Sequence, residues 1–310
     1  PEVLKKLSGS ANWFLRDKSF GLEELAVVLD DTKVAGSVAR ELLPEGSKAT
    51  PRTRFDLTLD RLDADRYLEP DSTSAGKEGG GAEAGDQPTE IPAETIRGLN
   101  LQGRARIGQL AIADLQLSDV DLTAAADAGR LRIEPLAAKA YGGSLRAGIR
   151  LDATGAKSRL TLEQAMTGVN FSALLADLTD VKNITGTMSL NLSGTATGAT
   201  DDELLKTLAG NLAFSLADGT YKGMDVWYEI RRARALLRRI EPPVRTGPEE
   251  TPIRCLDLSG KLTDGELRTD RFSAEIPFLR VSGAATVNLP KETLDSKLTA
   301  LVFEKPVSGD

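Results

Sequence analysis

Apolar and polar side chains alternate with a period of two over most of this sequence. From Gly186, Met188, Leu190 and Leu192 fall on one face of a ribbon and Thr187, Ser189 and Asn191 on the other. From Gly210 the pattern returns, with Leu212, Phe214 and Leu216 set against Asn211, Ala213 and Ser215. A glycine followed by apolar residues at alternate positions also opens segments at Gly143 and, with smaller side chains, at Gly283. Repetition without a fixed period predicts a sheet that grows by adding hairpins. Its oily face must be hidden by closure, by a partner sheet or by an apolar ligand.

Taken in order, Ala11, Trp13 and Leu15 predict a first strand, Leu25, Val27 and Leu29 a second, and Val34 to Val38 a third. Leu22 and Leu25 are out of phase, which places a bulge near Glu23 and Glu24. Asp30-Asp31-Thr32 reads as a turn, and Phe55, Leu57 and Leu59 as a fourth strand. Arg40 interrupts the oily face of the first meander. Residues 70–90 contain no Val, Ile, Leu or aromatic residue, so a mobile linker is expected there. Beyond it come Leu110 and Ile112, Leu115 and Leu117, Val120 to Ala124, Leu131 and Ile133, Leu145 to Leu151, and Leu160 and Leu162. Turns fall at Ala128-Gly129 and Gly142-Gly143, and the whole predicts an antiparallel all-β meander. Strands return at Ile253 to Leu258, Phe272 to Ile276, Phe278 to Leu289 and Leu294 to Val302, with a hairpin at Asp264-Gly265.

Three helices are expected. Asn170 caps one whose stripe is Phe171, Leu174, Leu175 and Leu178. Thr200 and Glu203 form a capping box ahead of Leu204, Leu205 and Leu208, with Gly210 as the stop. The third runs from about Met224 to Ile240, with Val226, Ile230, Ala233, Leu237 and Ile240 as its apolar stripe. It carries Arg231, Arg232, Arg234, Arg238 and Arg239. Such a helix either lies on anionic headgroups or covers the sheet with its arginines solvated or paired. The second is the plainer expectation in an acidic protein.

Composition narrows the chemistry. The formal net charge of −7 and an aromatic content of 5% argue against a nucleic-acid binder. Histidine is absent, which removes the commonest general base and neutral metal ligand. The single cysteine, Cys255, reads as a small strand residue rather than a reactive thiol. Asp201-Asp202 is explained as a helix start favoured by the macrodipole. No nucleophile-and-base pair is visible, so no catalytic residue, metal or cofactor is assigned. No apolar run reaches the roughly 18 residues of a membrane helix, and the chain reads as a fragment of a longer protein.

The stretch LAGNLAFSLADGTYKGMDV (Leu208 to Val226) resembles the C-terminal signature of the AsmA family. FDLTLDRLDADRYL, IPAETIRGLNLQGRARIGQL, LRIEPLAAKAYGGSL and TGVNFSALLADLTDVKNITGTMSLNLSGTATG are similar to further segments of that family, in order. The resemblance implies a mainly β fold: an elongated antiparallel β-groove, a twisted, partly open sheet of successive hairpins with about three short α-helices. Residues 1–68 would be an N-terminal β-meander of the groove, 69–95 a flexible Gly/Glu/Pro-rich linker and 96–310 the AsmA-like C-terminal region. It also implies the periplasmic part of a bacterial inner-membrane protein, anchored by an N-terminal helix and related to bridge-like lipid-transfer proteins. Its expected partners are phospholipids and envelope proteins of both membranes.

On this reading Leu145, Ile149, Met188, Leu190, Leu192, Leu212, Phe214, Leu216, Leu279, Val281 and Val287 line the groove. Arg231, Arg234 and Arg238 are candidates for headgroups or a membrane surface. The competing expectation is a non-catalytic scaffold that offers strand edges to outer-membrane proteins during assembly.

Overall fold

The computed structural model describes residues 6–16, 18–47, 49–66 and 88–303. Fifteen strands form one sheet in strict sequence order. β1 (Leu7–Arg16), β2 (Ser19–Leu29), β3 (Thr32–Glu41) and β4 (Thr53–Asp63) make the first part. Next come β5 (Leu101–Ile112), β6 (Leu115–Asp127), β7 (Arg130–Ala140), β8 (Gly143–Asp152) and β9 (Ser158–Asn170). β10 (Ile184–Gly198), β11 (Ala209–Lys222), β12 (Glu250–Thr263), β13 (Glu266–Ile276), β14 (Leu279–Asn288) and β15 (Thr293–Val302) complete the sheet. β1 and β15 are its two edges and do not pair with each other, so it stays open.

Local chemistry sets the details. The bulge expected at Glu23 and Glu24 is present: the β2–β3 register slips between Leu22 and Leu25, and Glu24 has φ 52°. The Ala128-Gly129 and Asp264-Gly265 turns both use left-handed backbone. The turn expected at Gly142-Gly143 is shifted by one residue. Tyr141 and Gly142 supply the positive φ angles, and Gly143 begins β8.

Several expectations are corrected. The sheet is not wholly antiparallel, because β4 and β5 pair in parallel from Thr53↔Leu101 to Asp63↔Ala111. Parallel neighbours need a crossover, and the chain between Asp63 and Leu101 provides it. The described residues hold four α-helices rather than three: α1 (Ala93–Gly98), α2 (Phe171–Leu178), α3 (Asp201–Thr207) and α4 (Val226–Leu237). α1 has only six residues and Pro92 at its N-cap with no capping side chain, so it leaves no signature. Of the linker expected over 69–95, residues 69–87 lie outside the described residues, while Glu90 bridges Thr200 and α1 begins at Ala93.

The caps of α2 and α3 are as read. Asn170 accepts from the Ala173 N–H and Thr200 from the Glu203 N–H, at 3.1 and 3.2 Å. Gly210, however, does not stop α3, whose last cap is the Leu208 N–H to the Leu205 carbonyl. Gly210 sits inside β11 because a Cβ there would lie 1.9 Å from the Ser193 carbonyl oxygen of β10. The apolar stripe expected for the third helix is also wrong. In α4 the buried residue is Ala235, at 4% exposure, while Leu237 is 85% exposed.

The core is an apolar cluster on one face of the middle strands. Val120, Val169, Met188 and Leu216 are almost fully buried in it, and Leu174 of α2 packs into the same cluster. Toward the edges this protection fades. Trp13 and Leu22 near one edge, and Leu294 and Leu298 on β15, are exposed.

Candidate functional site

Register turns alternation into a surface. Starting at Trp13 of β1, directly paired residues run Leu22, Val38, Phe55, Gly103, Ala124, Ile133, Ile149 and Leu162. The row continues through Gly194, Gly210, Leu262, Leu267 and Val287 to Leu294 of β15. Every strand of the sheet contributes one residue, and none is polar. At about 4.8 Å between strands the row extends roughly 70 Å. A second row beside it joins Leu145, Met166, Leu190, Phe214, Leu258, Phe272, Gly283 and Leu298. Between them lies Leu136, Ala147, Gln164, Leu192, Leu212 and Gly260, with Gln164 as its one polar member.

Two helices border this lane at opposite strand ends. α2 stands on the apolar face at one end, where Phe171 meets the Phe214 ring. α3 stands on the same face at the other end. The Leu208 side chain after it lies 3.2 Å from the Cβ position of Gly194, so a larger residue at 194 would displace it. Between these walls Leu190, Leu192, Leu212 and Phe214 are half-buried, with about 13 Å of strand from Leu190 to Gly194.

The expected lining residues all lie on this face, but in two settings. Ile149, Leu190, Leu192, Leu212, Phe214, Val281 and Val287 are half-buried. Leu145, Met188, Leu216 and Leu279 are buried, and of these Leu145, Met188 and Leu216 belong to the cluster that includes Leu174 of α2. Sequence reasoning missed Leu262 and Leu267, which flank the Asp264-Gly265 turn as a directly opposed pair. Equal spacing on either side of that turn was the available signal. Arg40 lies on the apolar side near one strand end, paired with Phe20 and Thr53.

The opposite face is charged. Asp121 is held by Arg104, and Glu134 sits between Arg150 and Arg132. Hydrogen bonds from these guanidiniums hold both carboxyls below their ordinary pKa. A depression of about 740 Å³ is lined by residues of both faces, among them Arg146, Glu163 and Asn191 from the charged face and Leu136, Gln164, Leu192 and Leu212 from the lane. Cys255 is half-buried opposite Glu275, and burial, followed by the Glu275 and Asp257 charges, pushes its thiol upward.

Of the α4 arginines, Arg232 pairs with Glu229. Arg231, Arg234, Arg238 and Arg239 are exposed and have no ion pair among the described residues. No helix among the described residues is long and apolar enough to cross a membrane. Nor do they bring three or more Cys, Asp or Glu together in a cluster able to hold a metal ion.

One open sheet, with an apolar row running its whole length on one face and charged residues on the other, defines a class of elongated β-groove protein. The AsmA family model matches residues 3–272, and the chain belongs to the AsmA family. No curated protein and no solved structure matches it.

Proposed function

We propose that this chain is the periplasmic part of an inner-membrane-anchored AsmA-like protein. Its apolar lane carries phospholipid acyl chains between the inner and outer membranes, without catalysis. The observation that carries the reading is the row from Trp13 to Leu294, unbroken by any polar residue across fifteen strands. A sheet that needed only a core would have no reason to keep that face apolar out to exposed edge strands.

The energetics suit passage rather than capture. Each methylene taken out of water gives about 0.8 kcal/mol, so even half-covered acyl chains are held. Neighbouring stretches of the lane are chemically alike, so moving from one to the next changes little. Polar headgroups stay in water beyond the half-buried band. Direction then comes from a gradient or an energised partner in the envelope.

Native mass spectrometry of the gently purified chain tests this. Phospholipid is expected on the wild type and is expected to be lost in Leu192→Asp/Leu212→Asp, a directly opposed pair on half-buried positions. Lipid-free wild type in every preparation contradicts the reading. The unpaired edges of β1 and β15 favour a second reading, a scaffold that captures strands of other envelope proteins. In that case the double variant keeps its protein partner and the wild type carries no lipid.

A further inference from the structure

The C-terminal half of α4 is built unlike the rest of the molecule. Its N-terminal half is fixed: Asp225 accepts from the Tyr228 N–H, Thr251 bridges the Met224 carbonyl and the Val226 N–H, and Trp227 stacks on Phe278 at 4.6 Å. Ala235 is the last buried contact. Beyond it Leu236, Leu237 and Ile240 stand exposed, and Val244 follows in the loop at 81% exposure. Four exposed aliphatic side chains within nine residues are a cost that a merely sheet-covering helix avoids.

Charge specifies what covers them. Between Arg231 and Ile240 the sequence RRARALLRRI has five arginines and no carboxylate, in a chain of net charge −7. Many arginines on the sheet are matched, as in Arg104–Asp121, Arg150–Glu134 and Arg280–Glu275, and those without a match among the described residues, such as Arg40, Arg146 and Arg271, stand on separate strands. Here Arg231, Arg234, Arg238 and Arg239 have no such match among the described residues.

We infer that the C-terminal half of α4, with the turn that follows it, docks on an anionic lipid surface. Leu236, Leu237 and Ile240 enter the acyl boundary, and Arg231, Arg234 and Arg238 meet the phosphates. α4 joins the end of β11 to the start of β12, at the same strand ends that α2 borders. Docking therefore sets one rim of the sheet, rather than an edge strand, against the lipid. This contact is independent of whether the lane carries lipid, and it would stand if that reading failed.

Flotation with phosphatidylcholine vesicles, with and without phosphatidylglycerol, tests it. Binding is expected only to the anionic vesicles and is expected to weaken as salt rises. Arg231→Gln/Arg234→Gln/Arg238→Gln should lose about a hundredfold in affinity. Leu237→Ser should weaken binding while leaving its salt dependence in place. These positions are solvent-facing, so circular dichroism should match the wild type. Equal binding to neutral vesicles overturns the inference, as does unaltered binding by the triple variant. Self-association through this patch without vesicle binding also overturns it.

Discussion

Phe171, the first residue of α2, sets its ring against Phe214 of β11 with 5.7 Å between centroids and a tilt of 59°. Phe214 belongs to the apolar lane, so this pair fastens one wall of the lane to its floor. Because Phe171 is half-buried, Phe171→Ala is expected to destabilise by about 2 kcal/mol, below the cost of truncating a fully buried ring. Urea denaturation measures the loss, and hydrogen exchange should rise first in residues 171–178. Unchanged exchange there would show that α2 is held by other contacts.

The same helix has a polar fastening. Tyr141 donates to the Asp177 carboxylate at 2.7 Å and accepts from the Gln116 N–H at 3.1 Å. Burial, aided by the Asp177 and Asp114 charges and opposed by the Gln116 N–H, pushes the Tyr141 phenol up to about 12. In the unfolded chain it ionises near 10. The folded form keeps the proton longer, so this contribution is whole below pH ~10, declines between about 10 and 12, and is lost above. For a half-exposed ring its size is on the order of 1 kcal/mol. Tyr141→Phe should be less stable at neutral pH and show a flatter stability curve over that interval. An unchanged slope would assign the alkaline loss to another group.

Gly210 offers a sharper test of the register. A Cβ at this position meets the Ser193 carbonyl oxygen and, at 2.6 Å, the Gly194 Cα. Gly210→Ala is expected to cost about 2 kcal/mol through strand displacement. Thermal unfolding reads this directly. A neutral substitution would mean that β10 and β11 separate easily at this point.

These features differ in how far the sequence reveals them. Alternation marks the strands because one face is apolar nearly everywhere, and Asn170 and Thr200 announce their helices through side-chain oxygens that cap free N–H groups. The parallel pairing of β4 and β5 is not legible, since strand patterning is the same in either direction. α1 is too short to show a period. In α4 periodicity picks out Val226, Ile230, Ala233 and Leu237, but it does not say which side of a helix faces the sheet; Ala235, outside that stripe, is buried and Leu237 is exposed. The lane itself emerges only from register, which aligns residues as distant as Trp13 and Leu294 through the strands between them.

The most direct test of the lane uses two consecutive residues. Leu192 lies in the half-buried apolar band of β10, and Asn191 projects from the other face of the same strand. A photoreactive amino acid placed at either position, activated in intact cells, reports which face meets hydrocarbon. The account expects phospholipid adducts at position 192 and none at 191. Adducts at both positions alike, or at 191 alone, would contradict it.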